Sequence, residues 1–163
     1  MDHLEWSSAD GNYTMSVPAE AWQNIVRETR KKRDTETGGI LIGHYADGHT
    51  AVVRQVTTAP GDSKSGFSWF LRGVAGLRTL LTRLWDQEDR QYYLGEWHYH
   101  PAARLVPSGE DIEQMQQISR SSRYSCLEPI MLLVGLESQG NVPSRAFVFP
   151  KGVMTELNRI LAQ

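Results

Sequence analysis

The sequence predicts an α/β fold of the α+β kind: a central mixed β-sheet flanked by helices. Three observations lead there. Apolar runs of strand length alternate with stretches whose apolar residues recur at helical spacing. Asp47-Gly48 stands between two such runs and marks a tight hairpin, so the sheet is not purely parallel. The 163 residues are 40% hydrophobic and 22% charged, enough for a substantial core and for one domain over residues 1–163.

The elements follow in order. Residues 1–10 are polar and predict a loosely held start. Tyr13 to Val17 alternates like a short strand. Pro18 suits the first turn of a helix, where its missing N–H has no partner to lose. Trp22, Ile25 and Val26 carry that helix toward Arg33, and the basic run Arg27 to Arg33 reads as its solvated end, where cations favour the helix dipole. Ile40 to Tyr45 is a buried strand and Thr50 to Thr58 its hairpin partner, with His44 and His49 as exposed residues flanking the turn.

Thr58 to Arg72 breaks periodicity yet holds Phe67, Trp69, Phe70 and Leu71. These residues either pack in the core or grip a partner. Val74, Leu77, Leu80, Leu81, Leu84 and Trp85 mark an amphipathic helix. Gln91 to Tyr99 is an aromatic-rich strand, Pro101 to Pro107 a loop, and Ser108 the start of a helix through Ile112, Met115 and Ile118. Beyond a polar link lie strands at Ile130 to Val134 and Ser144 to Phe149. Val153, Met154, Leu157, Ile160 and Leu161 predict a closing helix.

Composition excludes several function classes. A net charge of −2 gives no general pull toward nucleic acid or an anionic membrane. The single cysteine, Cys126, rules out an internal disulfide and a cysteine-rich zinc site, and reads as a small buried apolar residue. The first residues lack the basic-then-apolar pattern of a secretory signal, and no apolar run approaches the roughly 18 residues of a membrane span. The expected location is the cytoplasm.

Chemistry concentrates in Gly95-Glu96-Trp97-His98-Tyr99-His100-Pro101, followed by Ser108-Gly109-Glu110-Asp111. Strand side chains alternate in direction, so Glu96, His98 and His100 share one face while Trp97 and Tyr99 share the other. Asp111 lies one turn into the next helix. Two histidines and a carboxylate are a common catalytic zinc set that leaves the fourth tetrahedral position open for water, although a lone His-x-His on a strand is more often a chance surface pair. Ser108 with an acidic residue three positions on fits a capping box, and a hydroxyl that accepts from the backbone as a cap can still donate to a substrate oxygen. Other zinc and serine chemistries lack their patterns: there is no His-Glu-x-x-His, no Pro-Cys-x-x-Cys and no Gly-x-Ser-x-Gly.

His98-Tyr99-His100-Pro101 with Ser108-Gly109-Glu110-Asp111 resembles the His-x-His-Pro-x6-Ser-x2-Asp motif of the JAB/MPN (JAMM) metalloproteases. Glu36-Thr37-Gly38-Gly39-Ile40-Leu41-Ile42-Gly43 is similar to that family's upstream Glu-Gly-Leu-Gly segment. The resemblance implies the JAB/MPN fold, which is cytidine-deaminase-like. It implies Zn2+ on His98, His100 and Asp111, Glu36 as general base and Ser108 as oxyanion donor. It also implies cleavage after the C-terminal glycine of a ubiquitin-like or conjugated protein. Tyr99 departs from the family's usual Ser or Thr.

The Gly-Glu-Trp-His form resembles stand-alone bacterial members, some from CBASS-type anti-phage systems. That likeness implies a nucleotidyltransferase tail and E1- and E2-like proteins as partners. Phe67, Trp69 and Phe70, within Gly61 to Leu71, and the loop Ala102 to Val106 are the candidate substrate-gripping segments. Two other functions stay open: a non-catalytic MPN scaffold, disfavoured because all five motif residues are present, and a peptidase that processes a sulfur-carrier protein.

Overall fold

The computed structural model describes residues 2–66, 70–102 and 104–161. In chain order the elements are β1 (His3–Ser7), β2 (Thr14–Pro18), α1 (Ala19–Lys32), β3 (Thr37–Ala46), β4 (Thr50–Val56), β5 (Lys64–Ser65), β6 (Phe70–Leu71), α2 (Leu77–Trp85), β7 (Tyr92–His100), α3 (Gly109–Arg120), β8 (Ile130–Gly135), β9 (Ser144–Val148), a 3₁₀ turn (Pro150–Gly152) and β10 (Thr155–Ile160). Eight strands form one mixed sheet that closes on itself in the order β1-β10-β9-β8-β7-β3-β4-β2. The β2–β4 and β7–β8 pairs are parallel and the others antiparallel. β5 and β6 make a small separate hairpin.

The expected mixed sheet with helices is present, and it closes on itself. Closure separates two cores. The inner one draws buried residues from all eight strands, including Trp6, Val17, Leu41, Val53, Trp97, Leu132, Ala146 and Leu157, together with Ala21, Ile25 and Val26 of α1. The outer one lies where Leu84 of α2 and Met115 and Ile118 of α3 meet Ile40, Ile42, Tyr93, Met131, Leu133 and Phe147. Strand alternation divides each strand between the two. The β3–β4 turn is a three-residue loop, Asp47 to His49, because Ala46 pairs with Thr50; φ is positive at Asp47 (45°) and Gly48 (83°), where the chain reverses. Among the described residues, no helix is long and apolar enough to cross a membrane.

Both ends of the chain differ from expectation. Residues 3–7 are not loose: they form β1, paired with β2 and β10. Leu4 and Trp6 alternate with His3, Glu5 and Ser7, and Trp6 is fully buried. Residues 155–160 form β10 instead of a helix. The helical spacing of Val153, Met154, Leu157, Ile160 and Leu161 is a coincidence of five residues. Only Leu157 is buried, at 2% exposure, whereas Val153 is 64% and Leu161 77% exposed. The ladder to β1 and β9, which closes the sheet, overrides the local pattern.

This topology separates Leu157 from Met154. Leu157→Ala will cost about 2–4 kcal/mol in urea unfolding, the usual range for a buried leucine. Met154→Ser will stay within about 0.5 kcal/mol, as for other exposed positions. Comparable losses at both positions would favour the helix.

Candidate active site

The site is built by the pairing of β3 with β7. These strands run antiparallel with Thr37 opposite Tyr99, Gly38 opposite His98 and Ile40 opposite Glu96. One step further along that register, Glu36 comes across from His100. Directly opposed residues share a face. Glu36, His98, His100 and Glu96 therefore meet on the outer face, while Trp97 and Tyr99 point into the inner core.

Gly38 leaves room for the imidazole opposite it. A Cβ there would stand 2.3 Å from the Trp97 carbonyl oxygen, 2.9 Å from Phe70 and 3.1 Å from the His98 ring. On the other face the Trp97 indole crosses Gly39 and donates to the Thr57 carbonyl at 2.9 Å. The bulk of Tyr99 is also accommodated. Its ring fills the inner core and its hydroxyl donates to the Arg33 carbonyl at 2.9 Å, tying β7 to the end of α1.

The loop after β7 brings α3 back over the histidines. Ser108 is the N-cap. Its Oγ accepts from the Asp111 N–H at 3.0 Å, and Asp111 Oδ2 accepts from the Ser108 N–H at 2.8 Å, completing the expected capping box. The cap holds Asp111 in place beside both histidines. His98 Nδ1 is 3.1 Å from Asp111 Oδ1, and His100 Nε2 is 3.7 Å from Asp111 Oδ2. One ligand atom from each of the three lies within 4.8 Å of the others. Ligands bound at 2.0–2.1 Å to a tetrahedral centre stand about 3.3–3.4 Å apart, so the donor set matches the size of an ion site.

The electrostatics also favour a cation. Burial works to lower the His98 pKa, but hydrogen bonds and charge from Asp111 and Glu96 override it and raise the pKa to about 9. Burial works to raise Asp111, but its bond to His98, the His98 charge and the Ser108 contacts pull it down to about 2. His100 is lowered, by burial first, with His98 adding to the effect against Asp111, which favours the neutral imidazole that a metal needs. Glu36 is buried at 9% exposure, and its backbone N–H donates to the Gly66 carbonyl at 2.8 Å. Burial and then the Asp111 charge push its carboxyl up to about 7, against an opposing contribution from His98.

Among the expected gripping residues, Phe70 packs edge-to-face with the His98 imidazole, with centroids 5.5 Å apart at 80°. Phe67 and Trp69 lie outside the described residues. Arg72 was not anticipated. Its guanidinium meets Glu96, with Nε 2.9 Å and Nη2 2.8 Å from Oε1. A glutamate inside an aromatic strand was itself a signal, since a buried carboxylate needs a cationic partner. Cys126 is buried, and burial raises its thiol to about 11, so it is held as a thiol rather than a nucleophilic thiolate.

Residues 18–149 match the family model of prokaryotic homologs of the JAB domain. The chain belongs to this family. It is similar to a protein of Enterobacter hormaechei named CD-NTase/cGAS isopeptidase, 42% identical over 150 residues, covering 91% of this chain and 82% of that one. It is also similar to a probable metalloprotease, y4qB, of Sinorhizobium fredii, 26% identical over 133 residues and covering 72% and 73% of the two chains. Among solved structures, protein DSY2949 of Desulfitobacterium hafniense shares the fold. The TM-score is 0.57 at 20% identity, over 85% of this chain and 86% of that one.

The raised Glu36 carboxyl has a measurable consequence. Its folded pKa of about 7 lies above the ordinary 4.5, so the fold favours the protonated form. Ionisation therefore removes stability as pH rises through that interval, and the loss is complete above it. In chelator-treated protein, Glu36→Gln will gain about 3 kcal/mol on the parent between about pH 4.5 and pH 8 in urea unfolding. A constant difference across that range would show an ordinary carboxyl.

Proposed function

We propose that this chain is a zinc-dependent isopeptidase or peptidase that cleaves after the C-terminal glycine of a ubiquitin-like or conjugated protein. The observation that carries the reading is the meeting of His98, His100 and Asp111 beside Glu36. The name of the Enterobacter relative supports a CD-NTase conjugate as the cleaved partner; cleavage at its C-terminal tail and anti-phage defence as the setting follow from the resemblance to stand-alone bacterial members. E1- and E2-like proteins as further partners, a cytoplasmic location and the cytidine-deaminase-like form of the fold belong to the same reading. Residues 1–163 acting as one catalytic domain belong to it too.

Zinc held by His98, His100 and Asp111 would supply Lewis acidity at the scissile carbonyl and lower the pKa of a water toward about 7. The chain's own groups do the rest. Glu36, whose pKa lies near neutrality, takes a proton from the attacking water and returns it to the leaving lysine amine. The Ser108 hydroxyl accepts from the Asp111 N–H, which leaves its proton free for the oxygen that gains charge as the carbonyl becomes tetrahedral. Phe70, beside His98, and the loop after His100 would receive the extended tail.

The test is cleavage of a CD-NTase or ubiquitin-like protein joined through its C-terminus to a lysine. The zinc-loaded parent will cleave it. Glu36→Ala will keep about one zinc per chain and lose activity by about 100- to 10,000-fold. Zinc-loaded parent that leaves every such conjugate and precursor intact would overturn the reading. Ser108→Ala will lose about 1 kcal/mol of stability with its cap, together with a rate loss of about 100-fold or more from the missing donor. A stability loss with an unchanged rate would leave Ser108 a cap only.

A further inference from the structure

Glu96 and Arg72 are a buried ion pair that the chemistry proposed above does not use. Glu96 is 0% exposed and the Arg72 side chain 4%. Every polar atom of the Glu96 carboxylate is engaged. Oε1 accepts from Arg72 Nε at 2.9 Å and from the Tyr93 hydroxyl at 3.2 Å, and its ion pair with Arg72 brings Nη2 to 2.8 Å. Oε2 lies 3.2 Å from His98 Nε2. Arg72 is held in turn: Nη1 donates to the Gly73 carbonyl at 2.8 Å and Nη2 to the Tyr124 hydroxyl at 3.0 Å. The backbone around Arg72 is pinned as well, since the Gly73 N–H donates to Ser63 Oγ at 2.8 Å.

Burying two charges is costly, and replacing such a pair with apolar residues of equal volume often leaves stability unchanged or improved. Bulk stability therefore gives weak reason for this pair. Its position gives a stronger one. The imidazole of His98 can turn about its χ2 bond, and three groups oppose that motion: Asp111 at Nδ1, Glu96 at Nε2 and the Phe70 ring packed nearly perpendicular to it. A carboxylate on the far nitrogen of a ligating histidine fixes its tautomer and orientation and raises its basicity.

We propose that Glu96 and Arg72 are positioning residues for the ion site. Arg72 holds the Glu96 carboxylate, and Glu96 holds the His98 ring with Nδ1 turned toward Asp111. This inference rests on the reading of His98, His100 and Asp111 as ion ligands.

The experiment titrates chelator-treated protein with Co(II), reading affinity and the visible d–d spectrum, alongside thermal melting without metal. Glu96→Gln and Arg72→Lys will each weaken Co(II) binding by about 10- to 100-fold and change the band pattern. Leu157→Ala, a core change in another part of the sheet, will lower the melting temperature but leave affinity and spectrum as in the parent. The double variant Glu96→Gln with Arg72→Met will regain melting temperature relative to Glu96→Gln alone, without regaining affinity.

Glu96→Gln and Arg72→Lys variants that fold and bind Co(II) like the parent, with the parent's spectrum, would overturn the positioning role alone. So would affinity losses that merely track melting temperature, with Leu157→Ala losing affinity to the same degree. A parent that binds no Co(II) would overturn the ion-site reading and this proposal together.

Discussion

The antiparallel register of β3 on β7 is the constraint on which the site depends. Gly38 opposite His98 sets that register, and the crowding of Trp97, Phe70 and His98 around Gly38 admits no side chain there. A slip of one residue would turn His98 and His100 into the inner core and bring Trp97 and Tyr99 out. The inner core resists that slip, because Trp97 and Tyr99 are fully enclosed in it and each has a hydrogen-bond partner at its polar tip. Hydrophobic burial on one face thus places the polar chemistry on the other. The same register brings Glu36, which lies outside the strand proper, to the histidines.

The second constraint is the α3 cap. Asp111 satisfies a backbone N–H at the helix start and faces His98 with its other oxygen. One residue thereby fixes the direction of a helix and completes a donor set. Charge is concentrated around His98, with Asp111 on one nitrogen and Glu96 on the other. Low exposure makes these interactions strong and makes an uncompensated carboxylate costly. A cluster of this kind is stable only around positive charge, which is why its pKa shifts and its donor spacing point the same way.

Much of this was legible in the sequence, for identifiable reasons. Strand alternation alone put Glu96, His98 and His100 on one face. The capping box at Ser108 is local and could be read from four residues. Glu36 was different: nothing near it signals chemistry, and it entered only through resemblance to a family motif, with β3–β7 pairing then supplying the contact. Arg72 was not read because it reaches Glu96 across 24 residues, from a stretch without periodicity. At the C-terminus, five apolar residues matched a helical period by chance, and only the closure of the sheet by β10 on β1 decides for a strand. His3 to Ser7 alternated visibly, but its polar composition concealed a strand whose core contribution is chiefly Trp6.

The central claim is that His98, His100 and Asp111 hold one ion beside Glu36. Anomalous diffraction at the zinc edge from zinc-loaded crystals tests it most directly. The account predicts one strong anomalous peak about 2.0–2.2 Å from all three residues, with Glu36 on its open side. A peak elsewhere, or one contacting fewer than all three residues, would contradict it.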